Sequence, residues 1–133
     1  MGGLIFDSSG NLYGNTEYAP GTVFELSPAG GGWAYQELYR LPGSGGGGGQ
    51  YAPLAMDSAG NLYGTTEFSY NAGTVYELTF SGRSWHYTLL HQFSGGDGQY
   101  PTSGVSFDAS GNLYGTTYQG GANGYGVVWE ITP

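Results

Sequence analysis

One octapeptide constrains this chain more than any other feature. Asp7-Ser8-Ser9-Gly10-Asn11-Leu12-Tyr13-Gly14 returns, with small changes, at Asp57 to Gly64 and at Asp108 to Gly115. The copies therefore begin 50 and then 51 residues apart. Self-similarity at such a period marks a repeat architecture, in which one supersecondary unit cannot bury its apolar faces without a neighbour. The neighbourhood repeats too: Gly21-Thr22-Val23-Phe24-Glu25-Leu26 becomes Gly73-Thr74-Val75-Tyr76-Glu77-Leu78 and then Gly126-Val127-Val128-Trp129-Glu130-Ile131.

Each repeat predicts four short strands, a to d, separated by turn residues. In the first, Leu4-Ile5-Phe6 is strand a, Asn11 to Thr16 strand b, Thr22 to Leu26 strand c and Trp33 to Leu41 strand d. Ser27 to Gly32 form the c–d turn, and the glycine run Gly43 to Gly49 leads onward. The second repeat gives Leu54 to Met56, Asn61 to Thr66, Thr74 to Leu78 and Trp85 to Phe93. The third gives Val105 to Phe107, Asn112 to Thr117 and Val127 to Ile131, with no strand d. The units run over 1–51, 52–101 and 102–133. In the a–b turn, Asp accepts bonds from backbone N–H groups two residues on, and the glycine takes a positive φ. Gly10, Gly60 and Gly111 are the glycines concerned. A calcium loop of the EF-hand type needs further oxygen ligands at its third and twelfth positions, and only the first and fifth are supplied here.

The chain of 133 residues has ten acidic residues, two arginines and no lysine, a net charge of −8. That balance offers no basic stripe for phosphates and no attraction to an anionic membrane surface, so neither nucleic acid nor membrane is an expected partner. With no cysteine there is neither a disulfide framework nor a thiolate metal site. No apolar run reaches the roughly 18 residues of a membrane-spanning helix. Met1-Gly2-Gly3 does not open a signal peptide, so an exported parent would carry its signal elsewhere.

Four-stranded antiparallel units of this length read as blades of a β-propeller, an all-β fold in which blades pack face to face. Alternation supports this: Val23 points to one side of strand c, Phe24 and Leu26 to the other, and both sides are apolar. A parallel β-solenoid is the rival, but its coils are shorter and the hairpin turns demand antiparallel pairing. The pattern Gly-Asn-Leu-Tyr-Gly-Thr-Thr followed by Gly-Thr-Val-(Phe/Tyr)-Glu-Leu resembles the repeat of bacterial "choice-of-anchor tandem repeat GloVer-containing" proteins. It lies at Gly10 to Leu26, Gly60 to Leu78 and Gly111 to Ile131, departing at Asn15 and at Val127 to Ile131. The resemblance implies an exported or surface-anchored bacterial protein and carries over no catalytic residue. A looser similarity to NHL-type propellers implies that strand a is innermost and strand d outermost.

Antiparallel order sorts the loops. The near-identical a–b turns share one end with the c–d turns, and the variable b–c and d–a loops share the other. Variable loops on a rigid scaffold are where binding residues concentrate. The candidate ligand-binding residues are Glu17, Tyr18, Glu67, Phe68, Tyr70, Asn71, Asp97, Tyr100, Tyr118, Asn123 and Tyr125, a mixture of rings, amides and carboxylates suited to sugars. The alternative is that these rings pack the loops together. His86 and His91, five apart in one strand, are expected on opposite faces and form no metal pair without a bulge. Glu25, Glu77 and Glu130 are expected to bond backbone or hydroxyl donors, and Trp33 and Trp85 to pack. No catalytic residue, cofactor or metal is assigned. The leading expectation is a non-enzymatic structural or adhesive module, then a lectin-like binder, with a carbohydrate-active enzyme third. Three blades fall short of the four to eight of closed propellers. Self-association is therefore expected, as a homodimer of six blades or, failing that, a trimer of nine.

Overall fold

The computed structural model describes residues 3–17, 21–42 and 51–132. The fold is all-β, with three antiparallel sheets in chain order. The first contains β1 (Ile5–Phe6), β2 (Leu12–Asn15), β3 (Thr22–Ala29) and β4 (Gly32–Arg40). The second repeats it as β5 (Ala55–Met56), β6 (Leu62–Thr66), β7 (Thr74–Ser81) and β8 (Ser84–Gln92). The third holds β9 (Ser106–Phe107), β10 (Leu113–Thr116) and β11 (Val128–Ile131). Among the described residues, a 3₁₀ turn, Ser69–Asn71, interrupts the second b–c loop.

The octapeptide builds the first hairpin of every sheet in the same way. The Gly10 N–H donates to the Asp7 carbonyl at 3.2 Å, and the Asp7 N–H to the Asn11 carbonyl at 3.0 Å. The Asp7 carboxylate accepts from the Ser9 and Asn11 N–H groups and from the Asn11 side chain, at 2.8–2.9 Å, and from the Tyr13 hydroxyl at 3.2 Å. Asp57 and Asp108 repeat this network. Gly10, Gly60 and Gly111 have φ of 85°, 86° and 84°, as the turn chemistry predicts.

The c–d turns are tighter than expected. Strands c and d run on to Ala29↔Gly32 and Ser81↔Ser84, leaving two-residue turns at Gly30–Gly31 and Gly82–Arg83. All four turn residues have positive φ, the geometry whose twist matches the flanking strands. The ladder also shifts between Val75 and Tyr76, so that Leu90 bulges between the partners of those two residues. That bulge corrects the expectation for the histidines. His86 lies opposite Thr79 and His91 opposite Val75, and Thr79 and Val75 are four apart on one strand, so both histidines share a face.

The third residue of Leu-Tyr-Gly has a packing role. Gly14, Gly64 and Gly115 lie opposite Phe24, Tyr76 and Trp129, whose rings cover them. A Cβ on Gly14 would sit 2.6 Å from the Phe24 ring. Sheets then stack by their faces. Tyr13, Val23 and Leu38 of the first sheet pack with Leu62, Tyr76 and Leu78 of the second. Tyr63 and Val75 of the second pack with Leu113 and Trp129 of the third. Hydrogen bonds tie the same junctions: Asn15 donates to the Ala52 carbonyl at 3.1 Å, and Thr65, its counterpart, to the Ser103 carbonyl at 3.2 Å. The departure at Asn15 therefore preserves the bond.

Two faces of the stack have no neighbouring sheet among the described residues. Leu4 is 53% exposed, whereas its counterparts Leu54 and Val105 are 3% and 8% exposed. Val128 is 77% exposed, whereas Val23 and Val75 are fully buried.

Candidate functional site

The b–c and d–a loops gather at the end opposite the octapeptide turns. A threonine pair closes the base of the b–c loop: the Thr66 and Thr74 hydroxyls lie 2.7 Å apart, and Thr16 and Thr22 3.0 Å apart. In the third repeat Val127 replaces the second threonine, and the main-chain bond is kept: Thr117 Oγ1 accepts the Val127 N–H at 3.0 Å, as Thr16 Oγ1 accepts the Thr22 N–H at 2.9 Å. The d–a loop after β8 is wedged between two b–c loops. Its Tyr100 N–H donates to the Ala72 carbonyl at 2.8 Å, its Tyr100 carbonyl accepts from Tyr118 at 2.9 Å, and Gln99 and Gln119 exchange backbone bonds at 2.7 and 3.0 Å. Tyr70, Asn71 and Tyr100 have φ of 54°, 73° and 59°, unfavourable for residues with side chains.

Several sequence candidates come together here. Phe68 and Tyr100 meet edge to face, with centroids 5.6 Å apart. Glu67 and Glu17, from adjacent repeats, are close enough to interact: burial, and secondly the Glu17 charge, raise the Glu67 carboxyl above its ordinary range. Phe68, Tyr70 and Tyr118 remain exposed around them. Other candidates are not drawn in. Asn123 and Tyr125 sit on an outlying loop tip, with Tyr125 91% exposed. Asp97 faces His91 at 2.8 Å and accepts from the Ser94 N–H and hydroxyl, also at 2.8 Å. Burial pulls its carboxyl upward, but those donors outweigh it and hold it at about 2. Tyr18 lies outside the described residues.

Concavities also lie elsewhere among the described residues, and only repetition of the motif hinted at two of them. One of about 540 Å³ lies between successive octapeptide turns and includes Phe6, Asp7, Met56 and Asp57. The next, of about 320 Å³, includes Met56, Asp57, Phe107 and Asp108. Their carboxylates are already engaged by four donors each. Glu77 and Asp57 flank the Tyr63 hydroxyl at 2.7 and 3.2 Å, and burial, then bonding to Glu77, raises the phenol far above its ordinary value. Glu25 accepts from the Ser27 hydroxyl at 2.7 Å, so the strand-c glutamates do find hydroxyl donors. The third concavity is a groove of about 340 Å³ along β11, lined by His91, Phe93, Asp97, Trp129 and Ile131 among others. No group of three metal-ligating side chains converges among the described residues.

At the loop end, exposed rings lie beside carboxylates. A search of curated proteins gives no match. The family model described as the Gloeobacter/Verrucomicrobia repeat matches residues 1–133, the whole length. A match of that extent, over three copies of one octapeptide, one strand register and one mode of sheet stacking, places this chain in the Gloeobacter/Verrucomicrobia repeat family.

Proposed function

We propose that the chain is a non-enzymatic β-propeller repeat module of a bacterial cell surface, structural or adhesive in role, that closes a ring by self-association. One observation carries the reading. The residues buried at each sheet junction recur, exposed, on the two outer faces: Leu4 against buried Leu54, and Val128 against buried Val23 and Val75. The open face of the third sheet thus presents what the second offers to the third, and the open face of the first presents what the second offers to the first. Further repeats of a longer chain would cover these faces in the same manner. For the 133-residue chain a second copy does so, head to tail, giving six blades. Light scattering on the 13.9 kDa chain tests this. A mass of two chains at micromolar concentration supports the ring, a mass of three moves it to nine blades, and a stable monomer overturns it.

A second reading, lectin-like binding, draws on the loop end. Phe68, Tyr100 and Tyr118 offer ring faces, and Glu17 and Glu67 offer acceptors for sugar hydroxyls. A glycan array separates the two: reproducible binding lost in Phe68→Ala and Tyr118→Ala favours the lectin, and an empty array favours the structural module.

A further inference from the structure

The β7–β8 hairpin of the second sheet runs past the sealed part of its junction with the first. Tyr76, Leu78 and Phe80 alternate onto the face that packs on the first sheet, and exposure rises from 0% at Leu78 to 58% at Phe80. Phe80 pairs across the ladder with Trp85, and their rings lie 5.4 Å apart at 53°. Trp85 packs against the core cluster that joins the two sheets. The facing row of the first sheet is Tyr13, Glu25 and Gln36, cross-strand partners on β2, β3 and β4. These five residues line a concavity of about 240 Å³ at the c–d turn end of the junction. Both sheets supply all four of their strands there, so its walls belong to the interior of the repeat series.

Departures from the repeat shape this place. The second sheet sets Phe80 against Trp85 where the first sets Pro28 against Trp33. At the next junction Glu77 lies opposite Thr88 and accepts the Tyr63 hydroxyl at 2.7 Å. Here Glu25 lies opposite Gln36, and its Oε1 accepts the Ser27 hydroxyl at 2.7 Å, while the Tyr13 hydroxyl donates to Asp7 at 3.2 Å. Burial, and secondly the Glu25 charge, pushes the Tyr13 phenol up to about 12. Neither arginine is among the lining residues.

We propose that this concavity binds a trimethylammonium head group. Three aromatic rings and one carboxylate suit such a cation: ring faces attract it through their quadrupoles, and the carboxylate supplies the opposite charge. A methylated ammonium is weakly hydrated and has no N–H to satisfy, so it leaves water for the rings at less cost than a bare metal ion. The two tilted rings offer a corner for a compact group, whereas a sugar stacks on one flat face and needs more polar partners than Glu25 and Gln36. The net charge of −8 draws cations to the chain. The place lies at the end opposite the variable loops, so it stands apart from the lectin reading.

The probe is choline chloride, titrated into the intact chain and followed by the Trp85 indole and Gln36 amide signals in NMR spectra. A saturable shift at both in the millimolar range is expected. The neutral isostere, with a tert-butyl group in place of trimethylammonium, should bind about ten-fold more weakly, as should choline to Glu25→Gln and to Phe80→Leu. Phe80 is exposed, so Phe80→Leu should keep the parent melting temperature, which separates a lost ring face from a lost fold. A short peptide carrying trimethyl-lysine presents the same head group: tighter binding than choline's supports a protein-borne cation, and binding no tighter supports a free one. Absence of saturation by choline, equal binding of the isostere, or unchanged affinity in both variants would overturn the proposal. So would glucose shifting the Trp85 indole with the affinity of choline.

Discussion

Two glycines of the octapeptide are constrained in opposite ways. Gly60 needs a positive φ of 86°, but its Cβ position has nothing within 4 Å. Gly64 lies beneath the Tyr76 ring. Gly60→Ala should therefore cost about 1 kcal/mol, through backbone conformation alone. Gly64→Ala should cost roughly 1–3 kcal/mol, as overpacking does. Urea denaturation gives the order, and a Gly60 variant as stable as the parent would contradict the turn geometry. The carboxylate beside Gly60 sets an acid limit. Burial raises the Asp57 carboxyl, but the Asn61 backbone and side chain, the Ala59 N–H and the Tyr63 hydroxyl outweigh it and lower it overall. A folded-state value below the unfolded one means stability present above about pH 4 and lost as pH falls below it. The melting temperature should drop in that window, and Asp57→Asn should make the drop shallower.

At the scale of elements, the hairpins differ in how well their sequences suit them. Gly30–Gly31 and Gly82–Arg83 make the same two-residue turn, with Arg83 at φ 76°. A side chain there opposes the left-handed conformation, whereas glycine does not. Arg83→Gly should raise stability by about 0.5–1 kcal/mol, read as a higher denaturation midpoint at unchanged slope. Strand identity and order were legible in the repeat pattern. The ends of strands c and d were not, because Ser27, Pro28 and Ala29 look like turn residues and yet pair with Ala34, Trp33 and Gly32. The bulge at Leu90 was equally invisible: the side chain packs, partly buried, against the core cluster shared with the third sheet, and the bulge carries His91 to the face of His86.

At the scale of the whole molecule, the described sheets form a series with two unlike ends, so the proposed self-association would be a matter of one residue set meeting its complement. Val128 is the most exposed member of that set. Val128→Asp should leave monomer stability within about 0.5 kcal/mol, as an exposed substitution does. It should also abolish association, by placing a charge where Val23 and Val75 are buried. Sedimentation measures the mass and thermal melting the stability. Association that survived Val128→Asp would exclude this face as the contact. The loop end is a separate surface, so a ligand there should bind monomer and assembly alike.

The sequence by itself determined what is local. The octapeptide dictates the a–b hairpin because Asp, Gly, Asn and Tyr bond within seven residues of chain, and two-residue alternation dictates the two apolar faces. Three near copies then dictate three sheets of one register. Only the tertiary structure decided which loop residues meet. Phe68 reaches Tyr100 and Glu17 approaches Glu67 because β-sheets from different repeats stack side by side, a proximity with no signature in spacing along the chain. The groove at β11 arises in the same way: His91 and Trp129 come from neighbouring sheets, and their facing arrangement follows from the packing of one sheet on the next.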